Sequence, residues 1–198
     1  MSSSGKDRLM EEAKLPYLGV SLAGKILVAR PGLHADSFSS TLTMVLEHGS
    51  EGALGVVINR PLMDSPMLDS FPDWDDLNPE PGVFFEGGPV DQDALIALGR
   101  PDGTPGELVL GAHAVDLDQQ PALVRAQGVS AVRVFAGYAG WFPGQLENEV
   151  AQEGWWVVGA TIDDLFTDDP ETLWSRVLKR QGGDMAWFAH YPRNVRLN

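Results

Sequence analysis

The 198-residue chain contains no cysteine, which removes disulfide frameworks, thiol catalysis and thiolate-bound zinc or iron–sulfur centres from consideration. Basic residues are scarce. The 14 Lys and Arg stand against 28 Asp and Glu, a formal net charge of −14, and so acidic a body opposes the phosphate neutralisation on which nucleic-acid affinity rests. Long apolar runs are missing as well. The best, 53–58 and 131–140, have the length of strands, and Arg133 interrupts the second, whereas a membrane helix needs about 18 or more apolar residues. Residues 1–15 mix both charges and lack the apolar stretch of about 7–15 residues that a secretory signal requires. A cytoplasmic protein is expected, with no membrane contact and with residues 1–15 as a mobile tail ahead of one domain over 16–198. The four histidines, His34, His48, His113 and His190, are scattered without helical or hairpin metal spacing. Each reads as a packing or surface residue, and no metal or cofactor is expected.

Turn formers are abundant instead, with 22 Gly and 14 Pro. They separate short apolar, β-prone runs that predict strands at 24–30, 41–47, 55–59, 83–86, 131–138 and 155–158. The turn at 49–52 makes the second and third a hairpin. Residues 61–82, with five prolines, read as loop with a short helix near 67–71. Helices are predicted at 120–127, with Leu123 and Val124 inward, and at 144–153, where Pro143 suits the first turn and Leu146 and Val150 face the core. At the last helix Asp169 caps, Pro170 takes the first position, and Leu173, Trp174, Val177 and Leu178 form the apolar face. Gly182 and Gly183 stop it. Strands outnumber helices without βαβ alternation, which predicts a single α+β domain with a mixed, largely antiparallel sheet.

The motifs of common chemistries fail on inspection. Neither Gly-Lys pair is followed by Ser or Thr, so there is no phosphate-binding P-loop. The Gly-x-Gly-x-x-Gly dinucleotide fingerprint is absent from any strand–helix context. A nucleophile elbow is almost spelled by Gly19-Val20-Ser21-Leu22-Ala23, but its final glycine comes one residue late, at Gly24. Three strand ends carry glycine, proline and polar groups together: 57–61, 84–90 and 135–147. Their convergence predicts a crevice built from Asn59, Arg60, Glu86, Gly87, Gly88, Trp141 and Gln145. Arg60 would hold a carboxylate or phosphate or pair with Glu86, Trp141 would wall a flat group, and the bare glycines would admit it. The competing reading makes these residues tight corners of a curved sheet.

The segments 26–38, 45–48, 52–61, 85–90 and, above all, Gly137-Tyr138-Ala139-Gly140-Trp141-Phe142-Pro143-Gly144-Gln145-Leu146-Glu147 resemble the YqgE/AlgH family in order and spacing across about residues 20–178. The resemblance implies a branched sheet curled into a partial barrel with helices outside, in a cytoplasmic bacterial protein without established activity or cofactor. Some members are labelled transcriptional regulators. Phe142 stands where the family commonly has glycine, which adds bulk beside the crevice.

The leading expectation is a non-enzymatic binding or regulatory protein that takes a small anion or a protein partner, as a monomer or weak homo-oligomer. Three alternatives stay open. One is an enzyme using His34 with Asp36 or Glu86 for acid–base chemistry. Another is a nucleic-acid-associated regulator acting through the basic set Arg176, Lys179, Arg180, Arg193 and Arg196, although direct DNA binding is disfavoured by charge. Residues 171–198 carry +3 while 1–170 carry −17. The third is an interaction protein using an exposed edge, the acidic body, or one ring of the Trp155-Trp156 pair, which alternation places on opposite sheet faces.

Overall fold

A computed structural model describes residues 19–30, 40–103 and 113–189. The expected tail, His34, Asp36, His190, Arg193 and Arg196 lie outside the described residues. Among the described residues, nine strands hydrogen-bond into one open sheet: β1 (Lys25–Ala29), β2 (Leu42–Gly49), β3 (Gly52–Val57), β4 (Pro61–Pro66), β5 (Val83–Glu86), β6 (Val90–Pro101), β7 (His113–Ala114), β8 (Val129–Trp141) and β9 (Trp155–Gly159). The main path runs β4-β5-β8-β3-β2-β1-β9, and β6 with β7 branches from β8. All pairings are antiparallel except β5 with β8. The fold is therefore the expected single α+β domain with a mixed, branched sheet that does not close.

The branch has a definite cause. β3 pairs with β8 at Gly55↔Ala139, Leu54↔Gly140 and Ala53↔Trp141. Beyond that point the end of β5 wedges between them: Gly87 N–H donates to Ala136 C=O at 2.8 Å while Gly87 C=O accepts from Val57 N–H at 2.8 Å. Backbone can come this close because side chains are missing. A Cβ on Gly87 would lie 2.2 Å from Gly137 O, and one on Gly88 2.3 Å from Tyr138 C.

Because strands alternate their faces, three separate apolar cores result. Ile26, Val28, Met44, Phe85 and Phe135 pack under the helices α4 (Ile162–Leu165) and α5 (Pro170–Gln181). Leu27, Ala29, Val45, Ala139 and Trp141 pack on the opposite face with Leu146 of the helix α3 (Gln145–Ala151). Val132, Val134 and Ala97 form the third with Met67 of α1 (Met67–Ser70), Trp74 and Val124 of α2 (Pro121–Ala126).

A charge sits inside the first core. Arg133, 2 % exposed, stands on β8 between the buried Val132 and Val134. Its guanidinium donates to Leu165 C=O (3.0 Å), Thr167 C=O (2.8 Å) and Glu80 C=O, and lies 4.5 Å over the Phe85 ring. It thereby satisfies carbonyls that the short α4 leaves open at its end. Burial pushes its pKa down to about 10, with Asp168 opposing. A second clamp joins α4 to α5, where Arg180 forks onto both oxygens of the buried Asp164 at 2.8 Å each. Asp164 also completes the capping box with Thr161, and its hydrogen bonds raise the Arg180 pKa.

Several expectations need correction. The 61–82 region holds a strand, β4, beside the predicted short helix. β6 and β8 are far longer than their apolar runs, because pairing with each other carries the extended chain through polar residues. Leu123 is exposed while Val124 is buried. Pro143 stands outside α3, whose N-cap is Gly144 in the left-handed conformation (φ 76°). Gly182 and Gly183 stop α5, but a further helix, α6 (Gly183–Phe188), starts at once.

Replacing Arg133 by Met should leave three carbonyls unpaired and lower stability by about 3 kcal/mol, measured by urea unfolding. For a base whose folded pKa lies below its unfolded one, stability rises only as pH climbs between the two values. Here both are at or above about 10, so the wild-type-minus-variant difference should stay flat from about pH 5 to about pH 9.

Candidate functional site

The sheet face beneath α3 carries the polar cluster of most interest. A bulge between Val45 and Glu47 resets the alternation of β2. His48 therefore shares a face with Val45, and it aligns across the sheet with Ala53 and then Trp141. α3 lies over this row. Leu146 points fully into the core, and its neighbours reach the polar groups. The Trp141 indole N–H donates to Glu149 Oε2 (2.9 Å), as does that of Trp155 (2.8 Å), while Gln145 Nε2 donates to Glu149 Oε1 (2.9 Å). Gln145 Oε1 in turn accepts the Phe142 amide at 3.1 Å.

Between Gln145 and Glu149 in the chain, Glu147 meets His48. The His48 side chain is 5 % exposed and that of Glu147 22 %, with Nε2 and Oε1 3.2 Å apart. The angle is not that of a hydrogen bond, so Nε2 is buried without an aligned acceptor. His48 Nδ1 accepts the Leu22 amide at 3.1 Å. Ser21 Oγ donates to the His48 carbonyl at 3.1 Å. Above these groups opens a cavity of about 340 Å³, lined by Gly19, Val20, Ser21, His48, Gly49, Ser50 and Glu147.

The predicted crevice divides in two. Arg60 and Glu86 do pair, at 3.6 Å and partly exposed, on strands that meet through Glu86 N–H and Arg60 C=O. Glu86 aligns with Ala136, five residues along β8 from Trp141, which is roughly 16 Å of extended chain. Gly87 and Gly88 face main chain instead of an opening, so they serve the branch. Asn59 is committed to the sheet: Oδ1 accepts the Leu42 amide and Nδ2 donates to Ser40 C=O, each at 2.9 Å. Trp141, 7 % exposed, is a core ring held by Glu149 and stacked edge-on against Trp155 at 6.4 Å. Phe142 is 82 % exposed.

The basic set is largely consumed within the fold. Arg176 donates to Thr167 Oγ1 and to Asp169 C=O, and Arg180 holds Asp164. Lys179 is exposed. Trp155 and Trp156 do take opposite faces. Trp155 is buried, while Trp156 is half-buried under Arg30 and Phe188. Among the described residues, no three His, Asp or Glu side chains gather as a metal set, and no helix is long and apolar enough to cross a membrane.

His48 and Glu147 escaped the sequence reading because one looked like a packing residue and the other like one acid among 28. Their signal was present but mute: both lie in the segments that carry the family resemblance. The near-elbow at Ser21 turns its hydroxyl to the His48 carbonyl.

Comparison with known proteins gives a consistent picture. A family model described as AlgH-like matches residues 26–186. A UPF0301 protein of Streptomyces coelicolor is 45% identical over 187 residues, covering 90% of this chain and 96% of its own. One from Thermobifida fusca is 42% identical, with the same coverage of both chains. The crystal structure of DIP2367 from Corynebacterium diphtheriae superposes with a TM-score of 0.76 at 25% identity, covering 85% of this chain and 92% of that one. The solution structure of AlgH from Pseudomonas aeruginosa gives 0.58 at 28%, covering 87% and 95%.

Glu149→Ala should strand two indole donors and one amide, costing about 2 kcal/mol. It should also shift tryptophan emission as Trp141 and Trp155 loosen, read by fluorescence during thermal unfolding. Gly87→Ala should cost about 3 kcal/mol or prevent folding, because its Cβ meets backbone that cannot yield, scored by soluble yield and melting temperature.

Proposed function

The chain belongs to the AlgH-like family, and from that premise we propose that it is a non-enzymatic, regulatory protein that binds a small ligand in the cavity between Ser21, His48 and Glu147. The observation that carries this reading is the way the polar groups of the wall are spent. Nucleophilic catalysis needs a hydroxyl or thiol bonded to a base, with the base oriented by a third group. Here the Ser21 proton goes to a main-chain carbonyl. The lone pair of His48 is taken by the Leu22 amide, and Glu147 faces the remaining nitrogen. Ser50, the other hydroxyl of the described wall, donates to Glu51 Oε1 at 3.3 Å, so among the described residues neither lining hydroxyl is bonded to the imidazole, which serves as a wall element. The volume of about 340 Å³ lies at the small end of the roughly 300–1,000 Å³ usual for ligand pockets.

A regulatory effect on transcription would then run through a partner that senses the loaded state. Direct phosphate contact gains no support from Arg176 and Arg180, whose guanidiniums are engaged inside the fold.

Native mass spectrometry of the purified full chain should show a retained small molecule that leaves on acid denaturation and is missing from a Ser21→Trp variant. A panel of ester, amide and phosphoester substrates should show no turnover above buffer. Turnover that disappears in His48→Gln overturns the reading.

A further inference from the structure

We infer that the ligand of this cavity is a small organic cation, a protonated primary amine on a short apolar body, with Glu147 as its counter-ion. The inference rests on the reading of the cavity as a binding site and adds the chemistry of its occupant. Nδ1 of His48 accepts the Leu22 amide, so it carries a lone pair and the ring proton sits on Nε2. The ring is neutral. It therefore does not cancel the charge of Glu147, even though Nε2 and Oε1 are only 3.2 Å apart, and their misalignment leaves that oxygen without a directed hydrogen bond from the ring.

The remaining lining residues, Gly19, Val20, Ser21, Gly49 and Ser50, carry no charge. The formal charge of the described wall is thus −1, set in a concavity where water screens it less than on an open surface. Two residues further along α3, Glu149 adds a second negative centre whose oxygens already accept three N–H groups. That potential repels an anion. A multivalent metal ion would ask for several oxygen or nitrogen ligands, and this wall offers one carboxylate. An ammonium group asks for less: one charged acceptor, with hydroxyl and carbonyl oxygens around it. Val20, exposed at the lip, gives an alkyl body something apolar to lie against.

Ser21 supplies a way to close the cavity without breaking the fold. It lines the space, is exposed and lies outside every strand. Ser21→Trp should obstruct the cavity while the sheet persists.

The test uses the ¹⁵N-labelled full chain titrated with three probes of equal size and different charge: n-butylammonium, n-butanol and n-butyrate. The amides of Ser21, Gly49 and Glu147 should shift and saturate with n-butylammonium alone. Glu147→Gln should weaken that binding by about tenfold or more, and added salt should weaken it in the wild type. Ser21→Trp should abolish it with the rest of the spectrum retained. Equal or stronger shifts with n-butanol or n-butyrate, or unchanged n-butylammonium binding in Glu147→Gln, overturn the cation assignment and leave the binding-site reading standing. Shifts that survive Ser21→Trp, or none with any probe, overturn both.

Discussion

The close approach of bare main chain at Gly87, Gly88 and Gly137 decides how this protein is built. Strand β8 serves three partners, and it can do so only because β5 enters between β8 and β3 at a point where a Cβ would sit within 2.2–2.9 Å of neighbouring backbone atoms. Past the branch, β8 is free to pair with β3 through Trp141. That pairing sets α3 over the β2–β3 hairpin, and only then does Glu147 come within 3.2 Å of His48. Residues 48 and 147, far apart in the chain, share a cavity because glycines elsewhere let strands part.

The other structural investment is the buried Arg133. A guanidinium in a core is costly unless every N–H finds a partner. Here the partners are the carbonyls of Leu165 at the end of α4, of Thr167 just after it and of Glu80 before β5, with the faces of Phe85 and Phe166. The residue thus ties the central strand to the segment after α4 and to the loop before β5. Arg180 and Asp164 fasten the same layer from the helix side. These clamps explain why the most conspicuous basic residues are structural. They are turned inward to carbonyls and to one carboxylate.

Two acidic residues on one short helix illustrate how neighbours diverge in role. Glu149 accepts from two indoles and an amide and is spent on holding Trp141 and Trp155. Glu147 faces a neutral imidazole at the edge of open space. Their spacing of two on a helix turns them toward different surroundings, and so one becomes scaffold and the other the charged group of a cavity.

Local physics determined much of this chain before any tertiary contact. Glycine and proline punctuation and β-prone runs located six of the strands. The Asp169-Pro170 start and the apolar stripe of α5 follow from capping and a 3.6-residue period, and the pairing of Arg60 with Glu86 was anticipated from neighbouring strand ends. The extent of β6 and β8, the strand within 61–82 and the division of the expected crevice were not legible. Strand length through polar residues depends on a partner, and register depends on a bulge that single-sequence alternation cannot show. The cavity residues belong to the same class: Ser21, His48 and Glu147 come from three distant stretches, and nothing in their local spacing encodes that they meet. Secondary structure answers to neighbours in sequence, while a site answers to neighbours in space, and here the branch of the sheet chooses those.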